Sequence, residues 1–159
     1  MIQLETYTMK AMIKQTIERH PNKPALSMVD EEPITYAQLG NMINDVIEML
    51  RDSGIKKGDR VAILSQNMPN WGVAYLAITT MGAVVVPILV DFHLNEILQI
   101  IRHSGAKVVF VSSAQYDKIA YSDLDPFPVM INLDSLLPVE ANLPKDKVAG
   151  VHPGTQQCF

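Results

Sequence analysis

The chain predicts an α/β fold with a mostly parallel sheet flanked by helices, and three observations lead there. Short β-branched runs, Arg60 to Ser65, Ala83 to Ile88, Lys107 to Ser112 and Val129 to Leu133, alternate with helical patterns of about ten to fourteen residues, which calls for right-handed crossovers between parallel strands. The runs are apolar at nearly every position, the mark of strands covered on both faces. No residue from Val61 to Val90 is charged, long enough on paper to span a bilayer. Asn67, Pro69, Asn70, Gly82 and Pro87 interrupt it, so it reads as a buried strand, helix, strand unit.

Each element has its own signal. Thr8 to His20 reads as a helix with Met9, Met12, Ile13 and Ile17 on its inward face, ended by Pro21. Ala25 to Val29, the turn Asp30-Glu31-Glu32-Pro33 and Ile34-Thr35 read as a hairpin. Thr35 followed by Gln38 is a capping box, with Ile34 and Leu39 at the staple positions. The helix it starts carries Leu39, Met42, Ile43, Val46, Ile47 and Leu50 as one stripe, and Gly54 supplies a left-handed C-terminal cap.

Lys56-Lys57-Gly58-Asp59 turns the chain into the strand at Arg60. The helix from about Met68 to Met81 is apolar nearly all round and so must pack on more than one side, with Trp71 between layers. Pro87 falls near the exit of the next strand, where loss of an N–H costs least. Leu94 to His103 is a helix with Leu94, Ile97, Leu98 and Ile101 inward and Gly105 as its cap. Tyr116 to Pro126 is a polar connection. Residues 1–137 thus form one α/β subdomain, and 138–159, with Pro138, Pro144, Gly150, Pro153 and Gly154, read as a linker-like or truncated end.

Composition narrows the function classes. Of 159 residues, 48% are apolar and 19% charged, a globular balance, and the net charge of −4 with no basic run beyond Lys56-Lys57 argues against nucleic acid. Cys158 is the sole cysteine, so no internal disulfide forms and a reducing cytoplasm fits. The N-terminus has Glu5 where a signal peptide would be basic.

Candidate chemistry is sparse. There is no GxGxxG and no GxxxxGK[ST]; Gly54, Gly58, Gly82 and Gly105 sit where turns and helix C-termini need them, at the wrong dipole end for phosphate. His20, His93, His103 and His152 have no partners at metal-ligand spacing. His20 and His103 fall at helix ends, and His93, three residues before Glu96, makes a poor N-cap. Ser65, Ser112 and Ser113 end strands without a G-x-S-x-G elbow. Asp59 and Asp91 lie at strand ends, and Asp91, by the switch-point rule, is the best isolated candidate for a ligand contact, although capping explains it as well. No catalytic, cofactor-binding or metal residue is assigned within the chain.

Ile34-Thr35-Tyr36-Ala37-Gln38-Leu39, Gly54 through Leu64, Asn67-Met68-Pro69, Met81 through Pro87 and Ser104-Gly105-Ala106-Lys107, in that order and spacing, resemble the N-terminal portion of the adenylate-forming acyl-CoA synthetases. The resemblance runs from about Met1 to Ser113 and implies the first subdomain of that family's N-terminal domain. It implies a parent that joins a carboxylic acid to CoA through an acyl-adenylate, using ATP and Mg2+. His93 departs from the family's usual Ser or Thr. The family's Ser/Thr/Gly-rich phosphate loop ending in lysine is not found, and Gly154-Thr155-Gln156-Gln157 does not replace it, so the fragment is expected to be inert. Pro87 through Ile97 and His103 through Val109 look most like fatty-acyl members, with an aryl acid or a peptide-synthetase amino acid as alternatives. The parent is expected in the cytoplasm, free or peripheral to a membrane. The rival is a stand-alone flavodoxin-like binding domain. Exposed apolar surface or an open sheet edge is expected to make the fragment self-associate.

Overall fold

A computed structural model describes residues 8–139. Helix α1 (Met9–Arg19) begins at Thr8, whose Oγ1 accepts from the Ala11 N–H. Ile13 packs against the core only partly buried; no residue of the helix is fully buried, and Met12 is exposed. The inward face expected for this helix is therefore only a half-covered flank against α2 and α3, because no sheet lies beneath it. Strands β1 (Pro24–Leu26) and β2 (Ile34–Thr35) form an antiparallel hairpin, with the first strand ending three residues short of the expected Ala25 to Val29. Leu26 leans onto α3 at Gly72, where an added Cβ would meet its Cδ1 at 3.2 Å.

Helix α2 (Tyr36–Asp52) starts at the expected capping box, with the Thr35 N–H donating to Gln38 Oε1 at 2.8 Å and the Gln38 N–H to Thr35 Oγ1 at 3.3 Å. It buries Leu39, Ile43, Val46, Ile47 and Leu50, and Gly54 follows in the left-handed region at φ 79°. Then come β3 (Arg60–Leu64), α3 (Pro69–Thr80), β4 (Val84–Ile88), α4 (Leu94–Ser104), β5 (Val108–Val111) and β6 (Val129–Asn132). On α4, Ile97, Leu98 and Ile101 are buried as expected, whereas Leu94, in the first turn, is exposed. The charge-free segment folds as strand, helix, strand. Among the described residues no helix is long and apolar enough to cross a membrane.

Two further features differ from expectation. The connection after β5 carries a 3-10 turn (Ser113–Gln115) and a short helix, α5 (Asp117–Ala120), anchored by the buried Ile119. The chain then turns at Asp134 to Leu136 and returns as β7 (Leu137–Pro138), antiparallel to β6. Neither is visible in periodicity, since each is too short to show a period. The expected linker lies, from residue 140 on, outside the described residues.

The large sheet has the order β4-β3-β5-β6-β7, parallel except for β7. Its side chains alternate between two layers. Val61, Ile63, Val108, Phe110 and Ile131 face α2 and α3; Ala62, Leu64, Val109, Val111 and Met130 face α4 and α5. Helix α3 packs on this sheet and against α1, α2 and the hairpin, which explains its apolar circumference.

Candidate functional site

The strand order reverses between β3 and β5: the chain leaves β3 for β4 on one side and returns to β5 on the other. In open α/β sheets the crevice outside the carboxyl ends at such a point is the usual ligand position. Here those ends carry Ser65 and Ser112, both buried. Ser65 Oγ donates to the Gln66 carbonyl at 2.9 Å, and the Ser112 N–H continues the ladder to the Leu64 carbonyl at 3.2 Å. Both serines are thereby turn residues of the sheet.

Beside them lies a polar web that the sequence did not signal. Asn70, in the first turn of α3, donates through Nδ2 to the Leu133 and Asp134 carbonyls, each at 2.9 Å. Asp134 Oδ2 accepts from the Ser113 N–H at 2.7 Å, and Asn132 Nδ2 donates to Ser113 Oγ at 3.0 Å. Asn132 Oδ1 in turn accepts from the Ser135 N–H at 3.0 Å. The longer of these bonds span 19 to 64 residues of sequence, so no local spacing announces them. They fix the α3 start to the β6–β7 turn.

Asp91, the isolated candidate, is exposed in the loop after the edge strand β4, one strand removed from the switch point. That loop is tied to α5 instead, where Lys118 Nζ donates to the Val90 carbonyl at 2.8 Å. Asp59 lies at the opposite, amino end of the sheet. Lys107 Nζ stands 2.8 Å from its Oδ1, and the Lys56 N–H donates to its Oδ2 at 2.9 Å. The Lys107 hydrogen bond, and then the Lys56 N–H, hold the Asp59 carboxyl below the ordinary aspartate range against a smaller opposing effect of burial. Arg60 Nε donates to the Ser104 carbonyl at 2.7 Å in the same corner, locking the end of α4 to β3. Burial, with smaller contributions from Tyr121 and Asp117, pushes the Tyr116 phenol up.

The histidines stay apart. His20 caps the end of α1, His103 lies in the last turn of α4, and His152 falls outside the described residues. His93 precedes α4; the Glu96 N–H goes to its backbone carbonyl at 3.0 Å, while Glu96 Oε2 accepts from the His93 N–H at 2.8 Å. Among the described residues no group of three or more His, Cys, Asp and Glu stands close enough to hold a metal. Trp71 stacks on Tyr75 along α3, ring centroids 5.4 Å apart, and is half-buried against the core cluster that α2 and α3 share with the sheet.

A half-open groove of about 250 Å³ lies between the hairpin and the starts of α2 and α3, walled by Leu26, Met28, Ile34, Met42 and Met68 with Glu31 and Glu32 at its side. It has no nucleotide chemistry. A triphosphate needs backbone N–H groups at a helix N-terminus and a cation partner; the groove borders the start of α3, but its lining carries the carboxylates Glu31 and Glu32 and no Lys, Arg or His. That lining does not fit ATP, and among the described residues no group of three or more ligating side chains offers Mg2+ a site.

The chain is 30% identical over 112 residues to the hybrid PKS-NRPS synthetase fsa1 of Fusarium sp. (strain FN080326), covering 70% of this chain and 3% of that protein. The fold matches a Mycobacterium tuberculosis fatty acyl CoA synthetase with a TM-score of 0.72 at 26% identity, over 90% of this chain and 30% of the other. It matches the anthranilate CoA ligase AuaEII bound to anthranoyl-AMP with a TM-score of 0.67 at 25% identity, over 74% and 22%. The chain therefore spans a minor part of each relative's length. The profile of the AMP-binding enzymes covers residues 13–152, and the chain belongs to that family.

Proposed function

We propose that this chain is the N-terminal portion of an AMP-forming acid:CoA ligase acting in the cytoplasm, with a fatty acid as the acid. The observation that carries the reading is the family match across residues 13–152. The fatty-acyl assignment is supported by the fit to a fatty acyl CoA synthetase over 90% of the chain and by the Pro87–Ile97 and His103–Val109 blocks. In the parent, ATP and Mg2+ would activate the carboxylate as an acyl-adenylate and CoA would take the acyl group. This segment contributes the scaffold, with Asn70, Asn132 and Asp134 holding the sheet ends, and its expected inertness rests on the absence of the phosphate loop from its sequence.

ATP–pyrophosphate exchange tests both halves. The polypeptide carrying this segment in full, offered laurate, anthranilate and leucine, should exchange fastest with laurate; fastest exchange with leucine would transfer the assignment to a peptide-synthetase module. The 159-residue chain alone should show no exchange and bind magnesium-ATP more weakly than ~1 mM, equivalent to ~4 kcal/mol. Micromolar binding by calorimetry would overturn the inert reading.

A further inference from the structure

We propose that Pro87 guards the open edge of the sheet against pairing with a second copy of this chain. Strand β4 has β3 on one side and, among the described residues, no strand on the other. It is an uncharged Val-Val-Val-Pro-Ile run with Val84 exposed, and a flat apolar edge of this composition is a template for another strand.

The ladder fixes which groups face outward. The Val84 N–H donates to the Asp59 carbonyl at 2.8 Å, and Val84 pairs with Arg60 in parallel register. Because successive residues of a strand direct their N–H and C=O to opposite neighbours, Val84, Val86 and Ile88 face β3 while Val85 and Pro87 face the open side. Pro87 has no N–H, so the edge offers the Val85 N–H against the carbonyls of both Val85 and Pro87. The one donor the proline deletes is an outward one. At Val86 or Ile88 it would have broken the ladder to β3.

Symmetric pairing of two such edges is impoverished in the registers that set Val86 or Val85 opposite its copy. With Val86 opposite its copy, the Val85 N–H reaches the Pro87 carbonyl of the second molecule, but the return bond has no donor. With Val85 opposite its copy, the pairs on either side join Pro87 to Ala83, whose N–H is already given to the Ile78 carbonyl at 3.0 Å. Proline thus removes half of the bonds that a valine at this position would allow. The self-association expected from sequence loses its edge route and is left with side-chain contacts.

Sedimentation of the full 159-residue chain and its Pro87→Val variant over a concentration series tests this. The variant should associate about tenfold more tightly or better, since each regained bond contributes a few-fold. Its Val85 amide, open in the wild type, should become protected from hydrogen exchange in the associated form. Adding Val84→Lys to Pro87→Val should return association to the wild-type level, because a lysine on the edge repels its copy. If Pro87→Val fails to fold by circular dichroism, Pro87→Ala restores the same N–H with less bulk and decides the matter. Unchanged association in the folded variant would overturn the proposal, as would tighter association that leaves the Val85 amide unprotected or persists when Val84→Lys is added.

Discussion

Asp59 shows how one side chain joins two strands. Its carboxylate takes a lysine from the start of β5 and a backbone N–H from the turn before β3, so its folded-state pKa lies below its unfolded one. Stability from a depressed carboxylate is present above the unfolded pKa and is lost as pH falls through the folded value. The urea midpoint should therefore fall below about pH 4, the ordinary aspartate range, and Asp59→Asn should flatten that decline. Equal slopes in the two proteins would show that the Lys107 contact is not populated in solution. Lys107 is exposed over about half its side chain, so added salt should weaken the effect. Asn70 joins elements in the same manner without charge, satisfying two carbonyls of the β6–β7 turn.

Helix α2 depends on how it begins. It is the longest helix described, its inward stripe supplies five buried side chains, and its first turn has no acidic residue to complement the macrodipole. The Thr35–Gln38 box satisfies two N–H groups that would otherwise be orphaned. Thr35→Ala should destabilise the protein by ~1 kcal/mol, and Gln38→Ala should cost less once Thr35 is absent, because the two side chains hold one geometry. A double-mutant cycle by chemical denaturation in which the losses simply add would disprove reciprocal capping.

The two core layers share β3, β5 and β6, whose alternating side chains enter both. Neither layer can lose its helices without stripping one face of the same strands. The molecule should therefore unfold in a single transition. Trp71 is the only tryptophan and reports the α2–α3 side, whereas far-UV circular dichroism reports all helices, so their urea curves should coincide. A dichroism change preceding the fluorescence change would mean that α4 and α5 detach separately. At the carboxyl end the Asn70, Asn132 and Asp134 side chains tie the start of α3, Ser113 and the β6–β7 turn together.

The sequence by itself determined the α/β class, the order and type of the main helices and strands, the capping box, the left-handed turns at Gly54, Gly82 and Gly105, and the family. The caps, turns and element types are local or repeat with a fixed period, so the sequence displays them directly, and the class and the family follow from the order and spacing of the blocks. Tertiary structure alone decided the rest. Helix α1 has an amphipathic pattern yet buries none of its residues, because burial depends on what lies opposite. The short α5 and β7 exist through anchoring by Ile119 and pairing with β6, not through propensity. The Asn70–Asp134 web joins residues 64 apart, and the outward face of Pro87 follows from its register with β3. Sequence shows that a proline is present; only the ladder shows which way its missing N–H would have pointed.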